Sequence, residues 1–265
     1  MLTYPGFDPI AISLGPIQVH WYGIMYLIGF AAAWWLARQR AARPGSTWTA
    51  VDVDDLIFFA MLGVILGGRI GYVLFYGRQY WAENALYIFR IWEGGMSFHG
   101  GLGGVLVALA LFARRRGRRV ADVFDFMAPL PGIGLFAGRI GNFINGELWG
   151  KPTDVPWGFL VNGEVRHATQ LYEAALEGLL LFLLLWWYTS KRPPRLGPSG
   201  LFLVIYGASR TLVEFWRLPD AQIGYLAGGW LTMGMLLSLP LLLAGIVLML
   251  VAYRRREPSG NVAAA

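Results

Sequence analysis

The chain has 265 residues, of which 56% are hydrophobic and only 14% charged, with a mean hydropathy of +0.50. Soluble domains are near a quarter charged, so this composition excludes an ordinary water-soluble enzyme and points to an integral membrane protein. The net charge is +6, and cysteine is absent. There is therefore no disulfide, no thiolate metal site and no cysteine nucleophile.

The first 17 residues lack Lys and Arg, so no cleavable signal is expected there. With Pro5, Pro9 and Pro16 they are too broken to span, and a surface-lying or re-entrant lead-in is expected. A spanning helix needs about 20 mostly apolar residues. Seven segments qualify: Val19–Ala37, Leu56–Tyr76, Met96–Ala113, Val120–Ile140, Gln170–Ser190, Leu201–Trp216 and Trp230–Tyr253. The fourth holds Pro129 and Pro131 and is expected to kink. The predicted fold is all-α: a polytopic membrane protein of about seven transmembrane helices. It forms a single domain over 1–256, with the external loop 141–168 as a small cap and 257–265 as a disordered tail. Gln79–Trp92 is aromatic and amphipathic, which suits a helix lying in the interface.

Basic residues set the orientation. Arg38, Arg40 and Arg43 follow the first span. Arg114, Arg115, Arg116, Arg118 and Arg119 follow the third. Lys191, Arg192 and Arg195 follow the fifth, and Arg254, Arg255 and Arg256 the seventh. All fall on one side, which the positive-inside rule makes cytoplasmic, with the amino terminus outside. The positive charge is thus topology and attraction to anionic lipid, not nucleic-acid binding.

The run Phe136–Gly150 carries Arg139, Asn142, Asn145 and Glu147 at the end of an apolar segment. A charge costs several kcal/mol at mid-membrane, so such groups persist where they have partners or a task. By depth, Arg69, Arg139, Arg210, Glu214, His20, Tyr22, His99, His167, Glu173 and Glu177 gather in the outer half of the membrane, which predicts an outward-facing polar pocket. Simpler pairings are open beside it. Arg210 and Glu214 stand four apart and can pair on one helix. Arg69 can pair with Glu173 or Glu177, and Glu147 either caps the external loop or meets Arg139. The three histidines, His20, His99 and His167, have no metal-ligand spacing. In His99-Gly-Gly-Leu-Gly-Gly, the Gly100 and Gly104 spacing fits close helix contact, since no strand precedes it to make a nucleotide fingerprint.

These motifs together resemble the bacterial phosphatidylglycerol–prolipoprotein diacylglyceryl transferases. The resemblance is carried by Gly138-Arg-Ile-Gly-Asn-Phe-Ile-Asn-Gly-Glu147, with Val19-His-Trp-Tyr-Gly23, Gly68-Arg-Ile-Gly-Tyr72 and Ser97-Phe-His-Gly-Gly101. His167-Ala-Thr-Gln-Leu-Tyr-Glu173 and Tyr206-Gly-Ala-Ser-Arg210, then Glu214-Phe215, complete it. Ala168 stands where the family pattern has Pro.

The resemblance implies transfer of a diacylglyceryl group from phosphatidylglycerol to the lipobox cysteine of a preprolipoprotein signal peptide. A thioether forms and glycerol 1-phosphate leaves. It implies the bacterial inner membrane, membrane lipids as partners, and no cofactor or metal. His99, Arg139 and Arg210 are the expected catalytic residues, His99 as thiol base and the arginines on the phosphate. Arg139, Asn142, Tyr22, Glu147, Glu214, His20, Gly100 and Tyr206 are the expected substrate-binding set, with Glu147 and Glu214 orienting the arginines. The rival reading is a transporter or channel with an outward-facing polar vestibule.

Overall fold

The computed structural model describes residues 2–15, 17–219 and 223–261. Each of the seven predicted segments is helical over most of its length. They correspond to α1 (Trp21–Ala41), α2 (Ala50–Phe75), α4 (Phe98–Arg115), the pair α5 (Val120–Met127) and α6 (Pro131–Ile144), the run α7 (Thr169–Glu173) to α8 (Leu181–Ser190), α9 (Gly197–Val213) and α10 (Met233–Arg255). A shorter helix, α3 (Arg78–Glu83), lies between α2 and α4. Among the described residues, α2, the continuous helix Thr169–Ser190 and α10 are long and apolar enough to cross a membrane. The pair α5 and α6, bent by 47° at its prolines, makes a fourth as a broken span. The kink expected from Pro129 and Pro131 is therefore present. Helix α9, with 17 residues, and α4, whose length includes Arg114 and Arg115, fall short of the same measure.

The all-α expectation is corrected to a mostly helical chain with five short strands among the described residues: β1 (Leu2–Thr3), β2 (Ile10–Leu14), β3 (Ile17–His20), β4 (Phe159–Val161) and β5 (Glu164–Arg166). The prolines that exclude a span in the first 20 residues leave room for the β2–β3 hairpin. In the external loop, Asn162 and Gly163 both take positive φ (51° and 84°), the conformation a two-residue hairpin turn requires. Strands β4 and β5 pair across this turn, and β1 adds in parallel to β4.

The chain divides by its internal contacts into two compact units. One comprises Met1–Leu36 and Asp125–Ser259, the other Ala37–Phe124 and Gly260–Ala265. In the first, Leu181 and Leu185 are fully buried and packed with Ala128, Leu135, Phe202 and Ile205. Helix α6 approaches the α7–α8 run through glycines. A Cβ on Gly132 would lie 2.9 Å from the Gly178 carbonyl, and one on Gly178 would lie 2.7 Å from Phe136 Cα. This close approach sets Arg139, seven residues beyond Gly132 on α6, beside the glutamates of the facing helix.

In the second unit, a Thr49–Asp52 capping box opens α2. Gly63, Gly67 and Gly71 of α2 face Gly100 and Gly104 of α4. A Cβ on Gly63 would sit 2.7 Å from the Gly104 carbonyl, and one on Gly71 2.7 Å from Gly100 Cα. The small-residue reading of Gly100 and Gly104 is the one the packing shows. The continuous interfacial helix expected over Gln79–Trp92 is instead α3 followed by two 3₁₀ turns, Ala85–Phe89 and Ile91–Glu93. The cause is local: Asn84 accepts from Leu86 N, and Arg69 takes carbonyls of the run from outside. Of the tail expected to be disordered, Gly260 and Asn261 bond to Asp122, Thr47 and Trp48 of this unit. Residues 262–265 lie outside the described residues.

Candidate active site

Three guanidinium groups and three carboxylates converge in the first unit. Glu173, on the last turn of α7, is fully buried. Its Oε2 meets Arg139 Nε at 2.9 Å, and its Oε1 meets both Arg210 Nη1 and Arg217 Nη1 at 2.5 Å. Glu177, also fully buried, lies 3.6 Å from Arg139 Nη2 and 3.7 Å from Arg210 Nη1. Glu214 completes the ring, with Oε1 at 2.5 Å from Arg210 Nη2 and 3.1 Å from Arg217 Nε. Arg210, Glu214 and Arg217 follow one another at helical spacing on and just past α9. Between Glu173 and α8 the helix widens into a π-helical stretch, Ala174–Leu180, that contains Glu177. Such widenings occur often at functional sites.

Burying a charge costs several kcal/mol unless a well-placed opposite charge and further hydrogen bonds offset it. Three cations against three carboxylates balance formally, so the cluster leaves no net charge buried. The groups are not equally hidden. The side chain of Arg139 is 22% exposed, that of Arg210 16% and that of Arg217 11%, against 0% for both Glu173 and Glu177. The glutamates are therefore internal braces, and Arg139 is the guanidinium best placed to present donors to a ligand. A guanidinium has five N–H donors in a planar fork, so those not committed to carboxylates can receive an oxyanion.

The loop after α6 closes onto this cluster. Asn142 Nδ2 donates to Glu147 Oε1 at 2.7 Å, and Arg139 Nη1 reaches toward Asn142 Oδ1 at 3.5 Å. Asn142 thus stands between Glu147 and Arg139. The Glu147 carbonyl accepts from Gln170 Nε2, and Thr169 Oγ1 donates to the Leu148 carbonyl at 2.8 Å. The ring of Tyr22 lies against Gly141, where a Cβ would sit 3.1 Å from it, and its hydroxyl is 3.2 Å from that of Tyr26. Tyr206 stacks on Phe202 with ring centroids 6.0 Å apart. Gly234 makes room for Glu214: a Cβ there would lie 2.5 Å from its carboxyl carbon. Beside the cluster, His167 Nδ1 is 3.0 Å from Tyr172 Oη, which also accepts from Trp157 Nε1 at 2.9 Å. Burial pushes the His167 imidazole below its ordinary value.

The prolipoprotein diacylglyceryl transferase family model matches residues 9–251. The chain belongs to the prolipoprotein diacylglyceryl transferase family. Curated relatives carry the name phosphatidylglycerol–prolipoprotein diacylglyceryl transferase. That of Methylococcus capsulatus is 57% identical over 97% of this chain and 100% of its own length. That of Nitratidesulfovibrio vulgaris is 58% identical over 94% of this chain and 96% of its own. That of Pseudomonas aeruginosa is 56% identical over 96% and 97%. Membership favours a membrane-embedded transferase of lipoprotein biogenesis over the transporter reading.

For a transferase of this family, the structure brings Arg139, Arg210, Glu214, Asn142 and Glu147 into one connected network. It places His20 on the exposed strand β3 and His99 exposed in the first turn of α4, in the second unit. Gly100 lies against Gly67 and Gly71 of α2. Arg69, expected to pair with a glutamate, has its guanidinium donating within its own unit to the carbonyls of Tyr87 (2.6 Å), Ile88 (3.1 Å) and Gly94 (2.5 Å), beside the ring of Tyr87. The glutamates are taken by arginines of their own unit. Sequence reasoning passed over Arg217 altogether, although its spacing of three from Glu214 and seven from Arg210 was a readable signal. It also missed Tyr4, whose hydroxyl donates to the Phe143 (3.0 Å) and Ile144 (2.8 Å) carbonyls and so closes the end of α6.

Proposed function

We propose that the protein transfers the diacylglyceryl group of phosphatidylglycerol to the lipobox cysteine thiol of a prolipoprotein. The sulfur of the thiolate attacks the glyceryl carbon that carries the phosphate. A C–S bond forms, the C–O bond breaks, and glycerol 1-phosphate leaves with the bonding pair. The observation that carries this reading is that Arg139 and Arg210, from different helices, share one buried carboxylate, Glu173, in a chain of this family. Two guanidinium groups held 2.9 Å and 2.5 Å from the same brace present forked donors where a phosphate gains negative charge. In this reading Arg139 grips the phosphate, Arg210 stabilises the leaving group, and Glu214 and Arg217 fix the orientation of Arg210. Asn142, with Glu147 behind it, and Tyr22 and Tyr206 contact the headgroup; His20 and Gly100 complete the substrate contacts by resemblance.

A free thiol titrates near pH 8.5, so about a tenth or less is thiolate at neutral pH. His99 is assigned as its base on the family motif, and an imidazole is suited to that proton transfer. The reading takes all seven predicted segments as spans in the bacterial inner membrane, with the amino terminus outside and the strand-bearing loop 141–168 as an external cap. The test is incubation of the purified protein with phosphatidylglycerol and a lipobox peptide, followed by mass measurement of the peptide. A gain of one diacylglyceryl group on the cysteine is expected; an unmodified peptide refutes the assignment.

A further inference from the structure

Helices α9 and α10 meet backbone to backbone. A Cβ on Gly200 would lie 3.0 Å from Met249 N, one on Gly207 3.0 Å from the Ser238 carbonyl, and one on Gly245 2.7 Å from Val204 N. Backbones this close force the larger side chains apart on either side of the seam. Near the carboxyl end of α10 they leave a groove of about 450 Å³, bounded by Leu201, Val204, Ile246, Leu250, Tyr253 and Arg254. That volume falls within the range of small-molecule sites. The groove opens outward, since Ile246, Leu250 and Tyr253 are 41%, 54% and 49% exposed.

Its two ends differ in chemistry. The floor is aliphatic. At the mouth stand Arg254 and the Tyr253 hydroxyl, which is 2.9 Å from that of Tyr188. Among the described residues Arg254 has no carboxylate partner, whereas its neighbour Arg255 faces Glu257 at 3.9 Å. Lys191, Arg255 and Arg256 follow the same ends of α8 and α10. An apolar slot capped by a free guanidinium matches an acyl chain joined to a phosphate. Basic pockets between membrane helices on this side of a bilayer hold anionic lipid headgroups. Arg210 is nine residues along α9 from Leu201, about 13 Å of helix rise, so the groove lies at another depth from the carboxylate-bridged arginines.

We propose that this groove is a binding site for an anionic phospholipid, one acyl chain lying between α9 and α10 and the phosphate against Arg254. The site is separate from the transfer centre. It shares with the reading above only the membrane setting, in which the leaflet concerned is the cytoplasmic one.

The test uses the full-length protein in phosphatidylcholine vesicles that contain a few per cent of phosphatidic acid with a diazirine in one acyl chain. Phosphatidic acid can also meet the arginines of the transfer centre through its phosphate, so the two sites are told apart by where the label falls, at Leu201, Ile246 and Leu250 for the groove. After irradiation, label is mapped by peptide mass. The expected result is label on Leu201, Ile246 and Leu250 in excess over the exposed α2 face at Phe58 and Leu66. Arg254→Gln should lower that excess about fivefold, the effect of one basic residue at an anionic surface. Val204→Trp, which fills the slot while keeping the charge, should abolish it. A matched diazirine phosphatidylcholine should show no excess. Equal labelling by the zwitterionic probe, an undiminished signal in Arg254→Gln, or a groove shielded by a second copy of the chain each overturns the proposal. The transfer assay is run on the same variants and should be unchanged. Absence of transfer in the unaltered protein would fail the reaction reading and leave the labelling result standing.

Discussion

Glu173 is the point at which the architecture of the cluster is most exposed to a single change. It is fully buried and touches three guanidinium groups, at 2.9, 2.5 and 2.5 Å. Glu173→Gln keeps the shape and removes one charge, leaving three cations against two carboxylates and an amide that turns at least one donor toward an arginine. Removing one partner of a buried ion pair costs roughly 3–5 kcal/mol, because an uncompensated charge remains. For a chain of this size each kcal/mol moves the melting midpoint by roughly 2–4 °C, so a loss of roughly 6–20 °C is expected. The assay is thermal unfolding in one detergent at one scan rate, since unfolding of such proteins is a rate as much as an equilibrium. Arg217→Gln supplies the internal check. Combined with Glu173→Gln it restores two cations against two carboxylates. The double variant should then be more stable than the sum of the two single losses predicts, by about 0.5–3 kcal/mol. Strict additivity, or a midpoint for Glu173→Gln within a degree or two of the unaltered protein, refutes the view that the glutamates brace the arginines.

Three further outcomes are expected. Arg139→Lys and Arg210→Lys should each reduce transfer by at least 100-fold while the protein still inserts, because a point charge cannot replace the planar fork; near-normal thioether formation by either removes that residue from the mechanism. His99→Gln should slow transfer and alter its pH profile; an unchanged profile rules out the base role. His167 is held below its ordinary pKa by burial, so the unfolded chain binds its proton more readily than the folded one. Its contribution to stability is complete above about pH 6.5 and is lost as pH falls through that value toward the folded pKa. The melting midpoint should therefore drop less between about pH 7 and 5.5 in His167→Gln than in the unaltered protein, and equal drops would contradict the burial argument.

The helical segments were readable from sequence because long apolar runs of membrane-protein composition favour helices, and three or four of them have the length and polarity to cross a bilayer. Hence the seven helical segments, the break at Pro129–Pro131 and the glycine seam at Gly100 and Gly104 could all be stated in advance. The strands could not: β1 and β4 pair between Leu2 and Phe159, and no local pattern in two or three residues announces a partner so distant. Individual candidates in the site were legible for a similar reason, since Arg139, Arg210 and Glu214 are costly in an apolar segment wherever they point.

The sequence by itself determined which polar groups had to be explained, because hydropathy and spacing act along the chain. The tertiary structure alone decided who partners whom. Glycine contacts between helices set the distances, and distance is what gave Arg69 a ring of carbonyls within its own unit, drew Arg217 into the cluster, and set Asn142 between Arg139 and Glu147. Charge pairing weakens with separation and with solvent, so in a buried, low-dielectric interior the nearest opposite charge prevails, and only the fold says which one that is.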